Sequence, residues 1–155
     1  MSMNIVLVEP EIPHNTGSIA RSCALTKTKL HLVKPLGFSI DDKHLKRAGL
    51  DYWHLVDVTL YDNLDQVILK NPEGDFYFAT TKTDKLYSDF KYSDNSFFVF
   101  GKETKGLDKN FIKKHKEKLI KIPMLNIGRS LNLSNSANII LYEALRQSNF
   151  KQILD

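Results

Sequence analysis

Asp75-Phe-Tyr-Phe-Ala-Thr80 and Ser96-Phe-Phe-Val-Phe100 constrain the fold of this chain more than any other stretch. Both are aromatic and β-branched runs, and neither alternates apolar with polar residues as a strand with one wet face does. Strands apolar on both sides need cover on both faces, which a parallel sheet between helical layers provides. Asn4-Ile-Val-Leu-Val8 and residues 30–33 read as further buried strands, 55–60 as another and 119–122 as the last. Helical segments fall between them. One is capped by Asn15 or Thr16 and runs to about Leu25; one is capped by Asp41 or Asp42 and runs through Arg47. Residues 64–69 form a third, and Asp108 caps a fourth that runs through Lys114. After the last strand, Ala137, Ile140, Leu141, Ala144 and Leu145 recur at helical spacing, and Ser134 or Asn135 can cap that closing helix. The alternation predicts an α/β fold, a single-domain parallel sheet flanked by helices over residues 1–155.

At 155 residues, 42% hydrophobic and 26% charged, the chain is large enough for a real core and reads as globular. No apolar run approaches the ~20 residues a bilayer requires, so no membrane role is expected. The first residues lack a basic region followed by a signal-type apolar stretch, which predicts a cytoplasmic location. Cys23 is the single cysteine, which excludes an internal disulfide and a cysteine-cluster metal site. The five histidines show no metal-ligand spacing, so no metal is expected. A net charge of +4 and a pI near 9.1 are compatible with a polyanionic partner. Lysine outnumbers arginine 18 to 4, which singles out Arg21, Arg47, Arg129 and Arg146, whose planar forks suit phosphate or carboxylate. Residues 102–121 hold eight lysines and His115, a run that fits a solvated helix face or a surface following a phosphate backbone. Trp53, beside Tyr52 and His54, fits a base-stacking role or a position half-buried against the core.

Three segments carry chemical content. Asn15-Thr-Gly-Ser-Ile-Ala-Arg21 sits where a strand and loop feed a helix, and its Gly17 and Arg21 share one helical face. Arg21 can reach an anionic group there, although a capped helix with a solvated arginine fits the same residues. Phe100-Gly-Lys-Glu-Thr-Lys-Gly-Leu107 follows the most apolar strand, and Gly101 at a strand end permits close backbone approach. It is not a nucleoside-triphosphate loop, because Glu103 stands where Ser or Thr is needed, and the chain has no GxGxxG dinucleotide fingerprint. Ile122-Pro-Met-Leu-Asn-Ile-Gly-Arg-Ser-Leu-Asn-Leu-Ser-Asn135 is a polar loop running into the closing helix, rich in groups that suit a polar small molecule. Its Ser130 and Asn132 can also simply bond local backbone.

In this order the segments resemble the three motifs of the SPOUT, or trefoil-knot, class of RNA methyltransferases: Asn15-x-Gly17-x-x-x-Arg21, Phe100-Gly-x-Glu103-x-x-Gly106-Leu107, and Ile122-Pro-Met124 with Ser130-Leu-Asn-Leu-Ser-Asn135. Glu9-Pro-Glu-Ile-Pro13, Arg47-Ala-Gly-Leu-Asp-Tyr52 and Tyr142-Glu-Ala narrow the likeness to the compact branch that methylates the ribose 2′-hydroxyl of the tRNA wobble nucleotide, cytidine 34 or 5-carboxymethylaminomethyluridine 34. The resemblance implies a C-terminal deep trefoil knot, a rare exception to ordinary chain topology. It implies S-adenosyl-L-methionine, leaving as S-adenosyl-L-homocysteine, held by Ala79, Thr80, Gly101, Glu103, Ile122, Met124, Ser130 and Leu131. It implies a catalytic set of Arg21, Asn15, Glu103, Asn135 and Tyr142, a homodimer whose sites are completed by the partner chain, and a tRNA anticodon stem-loop as substrate. Lys82, Arg47, Arg129, Arg146 and the lysine run are the candidates for gripping RNA, with His14 a further site candidate. A non-catalytic RNA-binding dimer of the same fold, a 2′-O-methyltransferase acting at another tRNA or rRNA position, and an α/β enzyme using another nucleotide are the competing readings.

Overall fold

The computed structural model describes residues 2–40, 43 and 53–155. Six strands, β1 (Asn4–Val8), β2 (Lys29–Val33), β3 (Val58–Tyr61), β4 (Asp75–Ala79), β5 (Ser96–Phe100) and β6 (Leu119–Ile120), form one sheet in the order β3-β2-β1-β5-β4-β6. Every adjacent pair is parallel. The described helices are α1 (Pro13–Thr26), α2 (Leu64–Lys70), α3 (Lys109–Lys114), α4 (Leu133–Gln147) and α5 (Lys151–Leu154). None of them is long and apolar enough to cross a membrane.

The unbroken apolar runs are explained by cover on both faces. Ile5 and Leu7 of β1, Leu30 and Leu32 of β2, and Phe98 and Phe100 of β5 pack against Ile19, Ala20 and Cys23 of α1 and the Ala137, Ile140, Leu141, Ala144, Leu145 stripe of α4. The alternate residues Val6, Val33, Phe97 and Val99 face the other way, onto Leu64 and Val67 of α2 and the partly buried Phe111 and Ile112 around α3. Trp53 is partly buried against the first cluster rather than standing free.

Local sequence misplaces several boundaries. The third strand begins at Val58, not at 55, and Leu55 and Leu60 are 63% and 43% exposed, because β3 is an edge strand with one neighbour. The last strand is two residues long, not four. α1 starts at Pro13, whose fixed φ and missing N–H suit a first helical position, so Asn15 and Thr16 lie inside the helix and are buried rather than capping it. α4 is capped by Asn132, which accepts from the Asn135 N–H at 3.2 Å, not by Ser134 or Asn135. The helix expected from Asp41 or Asp42 to Arg47, and the Arg47-to-Tyr52 motif, lie outside the described residues.

His31 shows how the sheet is tied across its strands. Its Nε2 lies 2.9 Å from Asn4 Oδ1 and its Nδ1 2.8 Å from the Tyr61 hydroxyl. Asn4 Nδ2 donates to the Ser2 and Ser96 carbonyls, so its oxygen faces the ring and His31 donates from Nε2. Burial pushes the imidazole down to about 4. The folded protein therefore declines a proton that the unfolded chain takes up below about pH 6.5. Stability is lost as pH falls from that value toward 4, by about 3 kcal/mol in total. In urea titrations at pH 7.5 and 4.5, His31→Gln is expected to lose less stability on acidification than the wild type, by about 2 kcal/mol or more. Equal losses would show that His31 is not held neutral.

Candidate active site

Because all strands run the same way, the loops that follow β1, β4, β5 and β6 emerge at one end of the sheet. The chain lays β2 and β3 on one side of β1 and β5 on the other, and open parallel sheets hold ligands outside the carboxyl ends of strands at such a reversal. A cavity of about 460 Å³ opens at this end. Its walls are residues 79–82 from the end of β4, 100–107 from the end of β5, and Ile120, Ile122, Met124 and 130–133 from the end of β6, with Ile12 before α1 and Asn15 within it at the side. Leu107, Ile112, Ile120 and Ile140 supply apolar lining, and Thr80, Thr81, Ser130, Asn132 and Ser136 supply polar groups. Apolar lining with a few polar groups suits a ligand that combines a flat heterocycle with a polar tail.

The loop after β5 is folded tightly on itself. Gly106 N–H donates to the Lys102 carbonyl at 2.8 Å, and Gly106 takes the left-handed region at φ +68°. A Cβ at Gly101 would stand 2.1 Å from the Gly106 carbonyl carbon and 2.2 Å from the Leu107 nitrogen. The backbone approach inferred for Gly101 is thus made first by its own loop.

Glu103 does not project alone into the cavity. Its carboxylate accepts from the Glu11 N–H and the Ile12 N–H, both at 2.9 Å, and from Asn15 Nδ2 at 3.2 Å. α1 has no cap from its own Ile12, so a side chain from another loop satisfies the N–H groups at its start and places negative charge at its positive end. Asn15 Oδ1 in turn accepts from Asn132 Nδ2 at 3.0 Å, which orients Asn132 to cap α4. Glu103, Asn15 and Asn132 therefore join the three motif segments in one chain of hydrogen bonds.

All eight residues expected to hold the donor, Ala79, Thr80, Gly101, Glu103, Ile122, Met124, Ser130 and Leu131, line this cavity. Of the expected catalytic set, Asn15 and Glu103 line it, whereas Arg21, Asn135 and Tyr142 lie outside its walls with exposed side chains. Arg21 stands six residues beyond Asn15, about 9 Å along α1 and on another face. The lysine run divides. Lys102 and Lys105, with Lys82, line the cavity, while Lys116 and Lys118 lie in the turn before β6, outside its walls. There Lys118 Nζ lies 2.5 Å from Asp75 Oδ1 at the start of β4. Sequence reasoning missed Leu107, Ile112 and Ile140 as lining, since each also reads as core, and missed Glu11, whose partner is distant in the chain.

At the end of β6 the chain is paired on both flanks. Thr80 N–H donates to the Ile120 carbonyl at 3.0 Å. On the other flank Lys121 N–H donates to the Lys85 carbonyl at 3.0 Å and Tyr87 N–H to the Lys121 carbonyl at 2.9 Å. The 80–95 segment then reaches α4, where Gln147 accepts from the Tyr92 N–H and donates to the Phe90 carbonyl, both at 2.9 Å.

The family model described as the SpoU rRNA Methylase family matches residues 2–142. The chain belongs to the SpoU rRNA methylase family. A relative from Listeria monocytogenes serotype 4b, named as a candidate tRNA (cytidine(34)-2′-O)-methyltransferase, is 55% identical over 157 residues, covering 99% of this chain and 93% of its own. A solved structure described as giving structural insights into the 2-OH methylation of C/U34 on tRNA is 34% identical, with a TM-score of 0.90, and the match covers 96% of this chain and 97% of that one. The SpoU methyltransferase AviRb from Streptomyces viridochromogenes, solved in complex with AdoMet, shares the fold at 23% identity and a TM-score of 0.85, over 96% of this chain and 61% of its own. The SpoU fold and its parallel sheet thus agree with the fold class expected from the strand pattern.

Proposed function

We propose that the chain transfers a methyl group from S-adenosyl-L-methionine to the ribose 2′-hydroxyl of the wobble nucleotide of tRNA, cytidine 34 or 5-carboxymethylaminomethyluridine 34. The observation that carries this reading is the convergence of the loops after β4, β5 and β6 on one cavity. At about 460 Å³ it falls in the range of small-molecule sites, roughly 300–1,000 Å³. Its apolar lining suits an adenine face, and the backbone of 101–103 and 120–131 suits the polar edges of a nucleoside. Met124, Ser130 and Leu131 complete that wall. When bound, S-adenosyl-L-methionine supplies a sulfonium methyl group, so that a C–O bond to the ribose forms as the C–S bond breaks, leaving S-adenosyl-L-homocysteine and one proton.

The chain's own part is to bind, orient and stabilise. Holding donor and hydroxyl in attack geometry supplies much of the acceleration. Glu103, Asn15 and Asn132 fix the loops that make the cavity. Arg21 does not serve as a base, because a guanidinium keeps its protons in proteins. It holds an RNA phosphate or stabilises the developing alkoxide. Lys82, Lys102 and Lys105 give the cavity a cationic rim for the RNA backbone. A tRNA substrate fits a cytoplasmic location.

The same reading includes a homodimer and a knot. Arg21 lies outside the cavity of its own chain, and exposed apolar side chains, Leu25 of α1 with Ile139 and Tyr142 of α4, offer a surface for a second copy that would bring Arg21 to the partner's cavity. Threading of the chain after β6 through the 80–95 segment is supported by the pairing of Ile120 with Thr80 on one flank and of Lys121 with residues 85 and 87 on the other. The activity is tested by mixing purified protein, methyl-labelled S-adenosyl-L-methionine and unmodified tRNA. Label is expected in tRNA as a ribose methyl at position 34. Donor binding with no label in any tRNA would refute it.

A further inference from the structure

We propose that Glu11, from outside the cavity, and Thr104, in its wall, are positioning residues that set the shape of the donor-binding loop. Glu11 does not line the cavity. Its Oε1 accepts from the Thr104 N–H at 2.9 Å and from the Thr104 hydroxyl at 2.8 Å. Glu103, the residue before Thr104, sends its carboxylate back to the N–H groups of Glu11 and Ile12. The two loops therefore clasp each other reciprocally, each giving a carboxylate to the other's backbone. Lys102 adds a third link, with Nζ 3.6 Å from Glu9 Oε1. The Glu11 carboxyl is held below the usual carboxylate range by the Thr104 N–H and hydroxyl, which agrees with the geometry.

The clasp is braced from a third side. Gly37 N–H donates to the Pro10 carbonyl at 2.9 Å, and a Cβ at Gly37 would lie 2.8 Å from Glu11 Cα and 2.9 Å from the Glu11 carbonyl oxygen. Those atoms are backbone, so no side-chain rotation relieves the crowding. The loop after β2 thus fixes where Glu11 stands, Glu11 fixes Thr104, and Thr104 lies in the cavity wall. A free loop of glycines, lysines and a threonine loses conformational freedom on binding a ligand; a clasped one has lost it already. The clasp thereby contributes to donor affinity through the order of the loop, with Glu11 acting from outside the cavity.

The proposal rests on the donor occupying this cavity, and the test separates the two claims. Hydrogen exchange at the Thr104 amide is measured without ligand in wild type, Glu11→Ala, Thr104→Val, Thr104→Ser and Gly37→Ala. The dissociation constant for S-adenosyl-L-methionine and the melting temperature are measured for each. Faster exchange at Thr104 and roughly tenfold weaker donor binding are expected in Glu11→Ala and Gly37→Ala. Thr104→Val is expected to show the same weakening and Thr104→Ser to be rescued. The KM for tRNA is expected to stay near wild type, which a general loss of fold would not permit. Unchanged exchange in both Glu11→Ala and Gly37→Ala would overturn the clasp. Faster exchange with wild-type donor affinity would overturn its positioning role. A wild type that binds no donor would overturn the assignment of the cavity, while exchange still decides the clasp.

Discussion

Gly101→Ala is expected to weaken S-adenosyl-L-methionine binding at least about a hundredfold, close to 2.7 kcal/mol. The reason is local and geometric. The added methyl would lie 2.1 Å from the Gly106 carbonyl carbon, 2.2 Å from the Leu107 nitrogen and 2.5 Å from the Gly106 oxygen. These are backbone atoms of the opposite limb of the same loop, so the loop must open by more than an ångström. Opening it disturbs the Lys102–Gly106 hydrogen bond and moves residues that line the cavity. Gly128→Asn is the control. Gly128 also lies in a loop near the cavity, but a Cβ there meets nothing within 4 Å, and asparagine tolerates its φ of +82°. Calorimetric titration of both variants, with melting curves to confirm folding, checks the expectation. Wild-type affinity in Gly101→Ala would contradict the placement of the donor against this loop.

Arg21→Ala is expected to lower methyl transfer by about a thousandfold with donor affinity within a factor of two, as for removal of a group that acts on charge developing in the transition state. Arg21 is outside the walls of its own chain's cavity, which accounts for the unchanged donor affinity. Equal losses of binding and transfer would make it a structural residue. Mixing gives a sharper result. A dimer of one Arg21→Ala chain and one Gly101→Ala chain keeps one intact cavity and one intact arginine, on different chains. If Arg21 serves the partner's cavity, random exchange of the two variants restores about a quarter of wild-type activity. If it serves its own, the mixture stays as inactive as its parts. Measuring label transfer before and after subunit exchange decides between them.

The fold was legible because its signal is periodic. Runs such as Phe97 to Phe100, buried on both faces, dictate a covered parallel sheet, and the α4 stripe repeats along one helical face. Boundaries were less legible wherever the deciding partner is distant. Asn15 looks like a helix cap because local sequence cannot reveal that Glu103 satisfies α1 from 88 residues away. Ser134 and Asn135 look like caps for the same reason, since only the Asn15–Asn132 hydrogen bond singles out Asn132. The residues expected to hold the donor stood out as motifs at strand ends, and all of them line one cavity. Arg21 and Tyr142 were legible as residue types, but neither reaches that cavity within its own chain. The lysine run read as one surface, yet the structure divides it: Lys102 and Lys105 line the cavity, whereas Lys118 turns back to Asp75 at the start of β4.

The central claim is spatial: three strand-end loops make one chamber for the methyl donor. A crystal structure of the protein with S-adenosyl-L-homocysteine tests it most directly. The expected result is the nucleoside between the 101–107 loop and the 120–133 wall, with its base over Leu107 and Ile140 and the Glu103–Asn15–Asn132 hydrogen bonds intact. A ligand seated at the opposite end of the sheet, or against α2, would contradict the account.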